Sequence, residues 1–300
     1  MNMLRGASMN IEKKHRFKAD LSLFMVAIVW GSGFVVTKNA LDAFSPYVLL
    51  SYRFSIATIV VSAIFHKKLL TLDRETAKAG IIAGLFLFTA FVAQTVGIQY
   101  ISAGSSAFLT ATYVVIVPFL YWIINKSRPD KYIFVSAIMT LFGIAFITIG
   151  NGFAIQPGDL ITILCAFLFA CHIISVGHYV KKYDPTLLII VQLATAMVLS
   201  IILAFTFETH PENIPTGSYL MVIYLGLFST LACFFVQTIA QKYTSASHTA
   251  IILSLEAVFG AIFGVLILAE IFTGRMIIGF IIVFFAILTA ETKWSFLKKS

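Results

Sequence analysis

The sequence is poor in charge. Only 11% of its 300 residues are Asp, Glu, Lys or Arg, against 60% that are apolar. Soluble domains carry about 25% charged residues, so an ordinary water-soluble fold is excluded. Cysteine is scarce as well. Cys165, Cys171 and Cys233 all fall inside apolar runs; they say nothing of redox compartment and read as buried free thiols. Several enzyme signatures are missing. There is no His-Glu-x-x-His, no Gly-x-Ser-x-Gly turn and no aspartate-rich metal motif, and neither Gly31-Ser32-Gly33 nor Gly104-Ser105-Ser106 has a histidine placed as a base. An intramembrane enzyme is therefore the weak alternative. A receptor or channel would need seven spans or a filter loop, and neither is seen. No cleavable signal peptide is expected, because the first apolar run is long and the chain re-enters the membrane at once.

What the chain does have is a succession of apolar runs of about 20 residues, each able to cross roughly 30 Å of hydrocarbon. Ten spans are expected, near 20–38, 46–65, 79–100, 103–124, 132–150, 159–180, 185–207, 218–241, 246–269 and 273–292. Their connections are short, as in packed helical hairpins. Ser45-Pro46 and Asp184-Pro185 each place a capping side chain before a proline at the first helical position. Pro118 is expected to kink the fourth span, with Ala261 leaving the ninth unkinked.

The net charge of +8 is a topology signal rather than a nucleic-acid footprint. With the N-terminus inside, all of the 21 lysines and arginines except Lys38, Arg53 and Arg275 fall on cytoplasmic segments. The longest outside loop, Glu208–Gly217, has two glutamates and no lysine or arginine. Both termini are thus expected in the cytoplasm.

An internal repeat organises the chain. Gln94–Ala107 (QTVGIQYISAGSSA) lies 143 positions before Gln237–Ala250 (QTIAQKYTSASHTA), and six of the fourteen positions are identical. The identities include Gln, Tyr and Ser rather than only the common apolar letters. Seven residues after Pro46 and Pro185 stand Arg53 and Gln192, which extends the repeat. Five spans per repeat is an odd number, so the second half must be inverted. Inverted repeats are a mark of secondary transporters, whose substrate sits near midplane between the repeats. The expected fold is an all-α polytopic membrane protein. It has ten transmembrane helices as two inverted five-helix repeats, 20–150 and 159–292, between cytoplasmic segments 1–19 and 293–300.

The stretches WGSGFVVTKNAL (Trp30–Leu41), SPYVLLSYRF (Ser45–Phe54) and QKYTSASHTAIILSLEAVFGAIFGVLILAE (Gln241–Glu270) resemble the drug/metabolite transporter superfamily, in its EamA-type branch. The resemblance covers about the whole chain. Departures are Ala257 in place of the usual proline, Ala269 where glycine often precedes Glu270, Lys126-Ser127-Arg128-Pro129 at the end of the fourth span, and Cys171-His172 where many members have tryptophan. The resemblance implies a carrier working by alternating access, often outward, on amino acids, other metabolites, drugs or nucleotide sugars. No cofactor is implied.

Glu256 is the sharpest candidate for chemistry. It lies near midplane, where an acid costs roughly 2.5–3.5 kcal/mol on insertion scales. It is either a proton-coupling or cation-recognising carboxyl, or a protonated structural acid bonded to a neighbouring helix. Its repeat partner Tyr113 would complete a polar floor. Arg53 holds a substrate carboxylate bidentately, or ties helix ends together, or snorkels outward. Gln94 and Gln237 either bond a substrate or make interhelical packing contacts. Trp30, Ser32 and Thr37 surround a Gly31-Ser32-Gly33 break in the first span, as an aromatic wall or as packing. His172 faces a cavity or packs in the core, and His178, on the opposite helix face, shares no metal with it. Gly260 and Gly264 form a GxxxG contact, read as internal packing with a homodimer face left open.

Substrate-binding candidates are thus Trp30, Ser32, Thr37, Arg53, Gln94, Tyr113, His172, Gln237 and Glu256, the last also for proton coupling; no metal site is expected. A nucleotide-sugar or lipid-linked-sugar carrier would want several cavity cations, and only Arg53 is at hand. Amino acids or related amphipathic compounds are therefore preferred. The partners expected are a small-molecule substrate and the lipid bilayer, not nucleic acid. The clean charge asymmetry, with no transit or retrieval signal, favours the cytoplasmic membrane of a bacterium.

Overall fold

The computed structural model describes residues 2–126, 128–129, 131–148, 156–209 and 214–292. Ser127, positions 149–150 of the fifth span, 210–213 of the Glu208–Gly217 loop and the tail 293–300 lie outside them. So do the side chains of Arg5, Lys13, Lys14 and Arg16.

Among the described residues every regular element is a helix. In chain order these are α1 (Asn2–Ala40), α2 (Pro46–Ile64), α3 (His66–Leu69), α4 (Arg74–Gly97), α5 (Ala103–Ala111), α6 (Tyr113–Asn125), α7 (Lys131–Thr148), α8 (Pro157–Tyr179) and α9 (Pro185–Phe207). There follow α10 (Thr216–Tyr224), a π-helical segment (Leu225–Ala232), α11 (Cys233–Ala240), α12 (Ala246–Leu253), α13 (Glu256–Leu268) and α14 (Gly274–Thr292). Among the described residues eight stretches are long and apolar enough to cross a membrane: Phe17–Ala40, Pro46–Ile64, Arg74–Gly97, Ala103–Asn125, Pro157–Tyr179, Pro185–Phe207, Thr216–Ala240 and Ala246–Leu268. Two apolar helices, Lys131–Ile147 and Gly274–Thr289, are shorter. The protein is therefore a polytopic, all-helical integral membrane protein.

Helix α4 lies against α8 and α9, α2 against α9, and α13 against both α1 and α5, while α7 and α14 pair at one side. Lipid supplies no hydrophobic drive between helices, so close approach of small residues matters more. Gly31 and Gly33 serve that purpose and do not interrupt α1, contrary to the expected break. A Cβ on Gly31 would overlap Phe259, and one on Gly33 would lie 2.8 Å from Ser229 Oγ. Gly260 and Gly264 face inward: a Cβ on Gly260 would lie 2.5 Å from Ala107 Cβ, and one on Gly264 2.5 Å from Glu270 Oε2.

Three further local expectations are revised. Helix α4 begins at Arg74, five residues before the expected start, because Asp73 accepts from the Glu75 and Thr76 amides. Asp184 caps α9 as expected, accepting from Thr186 and Leu187 N, but Ser45 does not cap α2. Instead Glu208, at the end of α9, accepts from Tyr47 and Val48 N, both at 2.9 Å, and from Ser45 Oγ at 2.6 Å. A carboxylate is the stronger partner for the positive end of a helix. Finally, the helix carrying Ala261 is broken as well as the one carrying Pro118. The breaks fall at Thr112 and at Ser254-Leu255, almost 143 positions apart. At each a hydroxyl turns back on a carbonyl, Thr112 Oγ1 to Leu109 O and Ser254 Oγ to Ile251 O, both at 2.6 Å. Such bonds compete with the helical ladder, so proline is not needed.

Candidate functional site

Between these broken helices lies a narrow cavity of about 30 Å³, room for about two waters. Three of its wall pairs are separated by 143 positions: Phe91/Phe234, Gln94/Gln237 and Tyr113/Glu256. The lining thus draws on both halves of the chain at matching registers.

One wall is built on Arg53, which is 4% exposed. Its guanidinium lies 4.3 Å over the Phe91 ring. Nη2 donates to Ser229 Oγ at 3.0 Å and Nε donates to Thr230 Oγ1. Both acceptors sit on the π-helical segment, where the widened turn re-aims side chains that an α-helix would present elsewhere. The same segment holds the indole, since Trp30 Nε1 donates to Ser229 O at 2.8 Å. Arg53 therefore does not snorkel. It faces the cavity and also ties α2 to the π segment.

The other charged wall is Glu256, at the first position of α13 and 3% exposed. Tyr113, at the matching first position of α6, presents its hydroxyl towards this carboxyl without reaching it in hydrogen-bond geometry. Among the described residues no ion pair joins Arg53 to Glu256. The cavity thus holds a buried cation and a buried acid that do not neutralise each other directly. Groups of this kind inside a membrane are costly and mark substrate or ion pathways.

Polar groups with spare capacity line the cavity as well. His172 Nε2 meets Gln192 Oε1 at 2.7 Å, and its Nδ1 is buried with no partner. Gln237 donates from Nε2 to Gln241 Oε1 at 3.2 Å, leaving its own Oε1 buried and unbonded. Gln241 in turn donates to Ile173 O. Gln94 and Thr37 complete this polar lining, and Phe169 and Phe234 close it with apolar surface.

Of the nine residues picked from sequence, eight line this one cavity; Ser32 does not. Ser32 is two positions from Trp30, about 200° around the helix, and its hydroxyl meets Tyr224 Oη at 2.5 Å instead. His178 is also elsewhere, 3.1 Å from Lys182 Nζ. Sequence reasoning missed Phe91, Phe169, Ser229 and Phe234. The 143-residue offset of Phe91 and Phe234 was a usable signal, whereas nothing in the sequence announced the π segment that presents Ser229.

Comparison with known proteins agrees with this architecture. The model of the EamA-like transporter family matches residues 17–149 and again 156–291. The chain belongs to that family. An uncharacterized transporter of Archaeoglobus fulgidus is 34% identical over 93% of this chain and 87% of its own length. YoaV of Bacillus subtilis, also an uncharacterized transporter, is 22% identical over 89% and 94%. A solved crystal structure superposes with a TM-score of 0.70 at 18% identity, covering 94% of this chain and 99% of its own, which shows a shared fold. Membrane transport of small molecules is accordingly the general activity of this EamA-like transporter.

Proposed function

We propose that the protein is a secondary carrier for small zwitterionic or amphipathic metabolites, amino acids above all, and that the central cavity is its substrate site. The observation that carries this reading is the placement of Arg53 and Glu256 in one aromatic-walled cavity without a direct ion pair. A guanidinium recognises a carboxylate bidentately, and a buried acid with a tyrosine beside it receives an ammonium. The phenylalanine and tryptophan walls accept an apolar side chain. His172, Gln94 and Gln237 orient the polar backbone of such a ligand.

In this reading the ten apolar helices cross the cytoplasmic membrane of a bacterium as two inverted five-helix repeats, with both termini inside. The cavity opens alternately to either face, and net movement is outward. Glu256 couples transport to protons, since substrate and proton compete for one carboxylate. The lining pairs at matching registers support the inverted arrangement, because a pseudo-two-fold axis through the cavity brings equivalent positions together.

The test is counterflow in proteoliposomes, with separate labelled pools of zwitterionic amino acids, sugar nucleotides and organic cations. Saturable exchange confined to the amino-acid pool is expected. Exchange of sugar nucleotides without amino acids would contradict the reading and favour a nucleotide-sugar carrier.

A further inference from the structure

The two ends of the cavity use the same register positions and are in different states. At the end near Glu270, Phe34, Val35 and Ala103 form a buried apolar cluster with Leu268 packed on it. Beside it Lys38 Nζ donates to Ile98 O at 2.7 Å and Ile101 O at 2.6 Å, binding the carbonyls that follow α4. In the repeat register, 139 positions on for α1 as for Pro46 and Pro185 and 143 for the broken helices, Val35, Lys38, Ala103 and Leu268 correspond to Ile174, Gly177, Ala246 and Asn125. All four of those line a cleft of about 380 Å³ at the other end. The cluster at the Glu270 end is packed where its counterpart lines open space.

The helix ends themselves are equivalent. Ser102 Oγ caps α5 by accepting from Ser105 N, and Ser245 Oγ caps α12 by accepting from His248 N. Lys126 and Ala269 end α6 and α13 in the same left-handed turn, with φ of 56° and 52°. The difference comes one residue later. After Ala269 the turn delivers Glu270, whose Oε1 accepts from Ala103 N at 2.5 Å and whose Oε2 accepts from Gly104 N at 3.0 Å. These are the first amides of α5, on the partner broken helix. The fit has no slack: a Cβ on Gly104 would lie 2.5 Å from the Phe272 ring. At the matching position after Lys126 the sequence has Ser127, whose short side chain carries no carboxylate.

We propose that Glu270 is the latch of one gate of this carrier. Its carboxylate holds α13 against α5 and closes that end of the cavity, with Lys38 fixing the adjoining end of α4. The opposite gate has serine at the register of Glu270 and rests open. On the carrier reading and sidedness given above, from which this inference takes its direction, the latched gate is the outer one. The resting protein then collects its solute from the cytoplasm, as an exporter must.

The gates can be read without any substrate. Spin labels at Tyr100 and Ile271, exposed by 54% and 91%, report the Glu270 end, and labels at Ile124 and Lys242 report the other. Both pairs are introduced as cysteines in a full-length chain lacking Cys165, Cys171 and Cys233, reconstituted in lipid nanodiscs. Pulsed dipolar spectroscopy should give one short Tyr100–Ile271 distance, with a second, longer population in Glu270→Gln and more of it in Glu270→Ala. Ser127→Glu, which adds a carboxylate rather than removing one, should give the Ile124–Lys242 pair a new shorter population. An unchanged Tyr100–Ile271 distribution in both Glu270 variants would overturn the latch. An unchanged Ile124–Lys242 distribution in Ser127→Glu would overturn the attribution of the asymmetry to this register. Failure of the carrier reading would show instead as absent counterflow with the distance changes intact.

Discussion

Helix pairs α5–α6 and α12–α13 begin with the same serine cap, break at nearly the same register and end in the same left-handed turn. At the break, however, α6 starts with Tyr113 and α13 with Glu256. A similar exchange separates α2 from α9, where the polar residue seven positions after the first proline is Arg53 in one and Gln192 in the other. Backbone devices are kept between the halves while the chemistry is divided. The acid stands on the second half and the cation on the first, so neither half alone offers both poles to a ligand.

The largest way to break this comparison is to make the two halves equally neutral at the break. Glu256→Gln should reduce proton-gradient-driven flux to background while counterflow, which needs no gradient, persists; retention of gradient-driven flux would show that the carboxyl is not the coupling group. Next in size is Arg53→Gln, which gives the first half the residue type of the second. Loss of a charge-assisted bond is worth about 1.5–3 kcal/mol, so the half-saturation concentration for an amino acid should rise about 10- to 100-fold. An unchanged half-saturation would assign Arg53 to helix tethering alone.

A smaller effect sharpens the packing side. Gly260→Ala puts a methyl group into the α5 contact, with Ala107 Cβ 2.5 Å away, and overpacking of this kind costs about 1–3 kcal/mol. The melting temperature in detergent should fall, whereas Gly217→Ala, where a Cβ meets nothing within 4 Å, should not lower it. Smallest is the contrast of caps on α2 and α9. Glu208→Ala removes the acceptor of two amides and should cost about 1 kcal/mol, while Ser45→Ala should cost less. Asp184, outside the spans, is half-buried. Burial opposes its ionisation, but the hydrogen bond from Lys68 and the Leu187 and Thr186 amides prevail and hold its carboxyl below the ordinary range. Its contribution is therefore present above the ordinary carboxylate range and fades as pH falls through the lowered value. Asp184→Asn should flatten the acid limb of a stability profile.

Much of the site was legible because intramembrane polar residues are few and a repeat marks their registers. Glu256, Arg53 and the two glutamines were conspicuous against 60% apolar sequence. Ser32 was misplaced although helix geometry alone sets it about 200° from Trp30. The phenylalanines could not be singled out among 29, because apolar surface carries no mark of whether it faces lipid, a helix or a cavity. Pro118 drew attention to one break, yet the other comes from a serine hydroxyl, a local competition that composition hides. The caps by Glu208 and Glu270 join residues more than 150 positions apart, and only the folded chain brings them together.

The most direct test of the central claim uses three ligands that differ only in their charged groups: an amino acid, its decarboxylated amine and its deaminated acid. Each competes for amino-acid counterflow in wild type, Arg53→Gln and Glu256→Gln. If the cavity holds a zwitterion between these two residues, Arg53→Gln weakens the amino acid and the acid but spares the amine. Glu256→Gln then weakens the amino acid and the amine but spares the acid. Equal weakening of all three ligands in both variants would contradict the account.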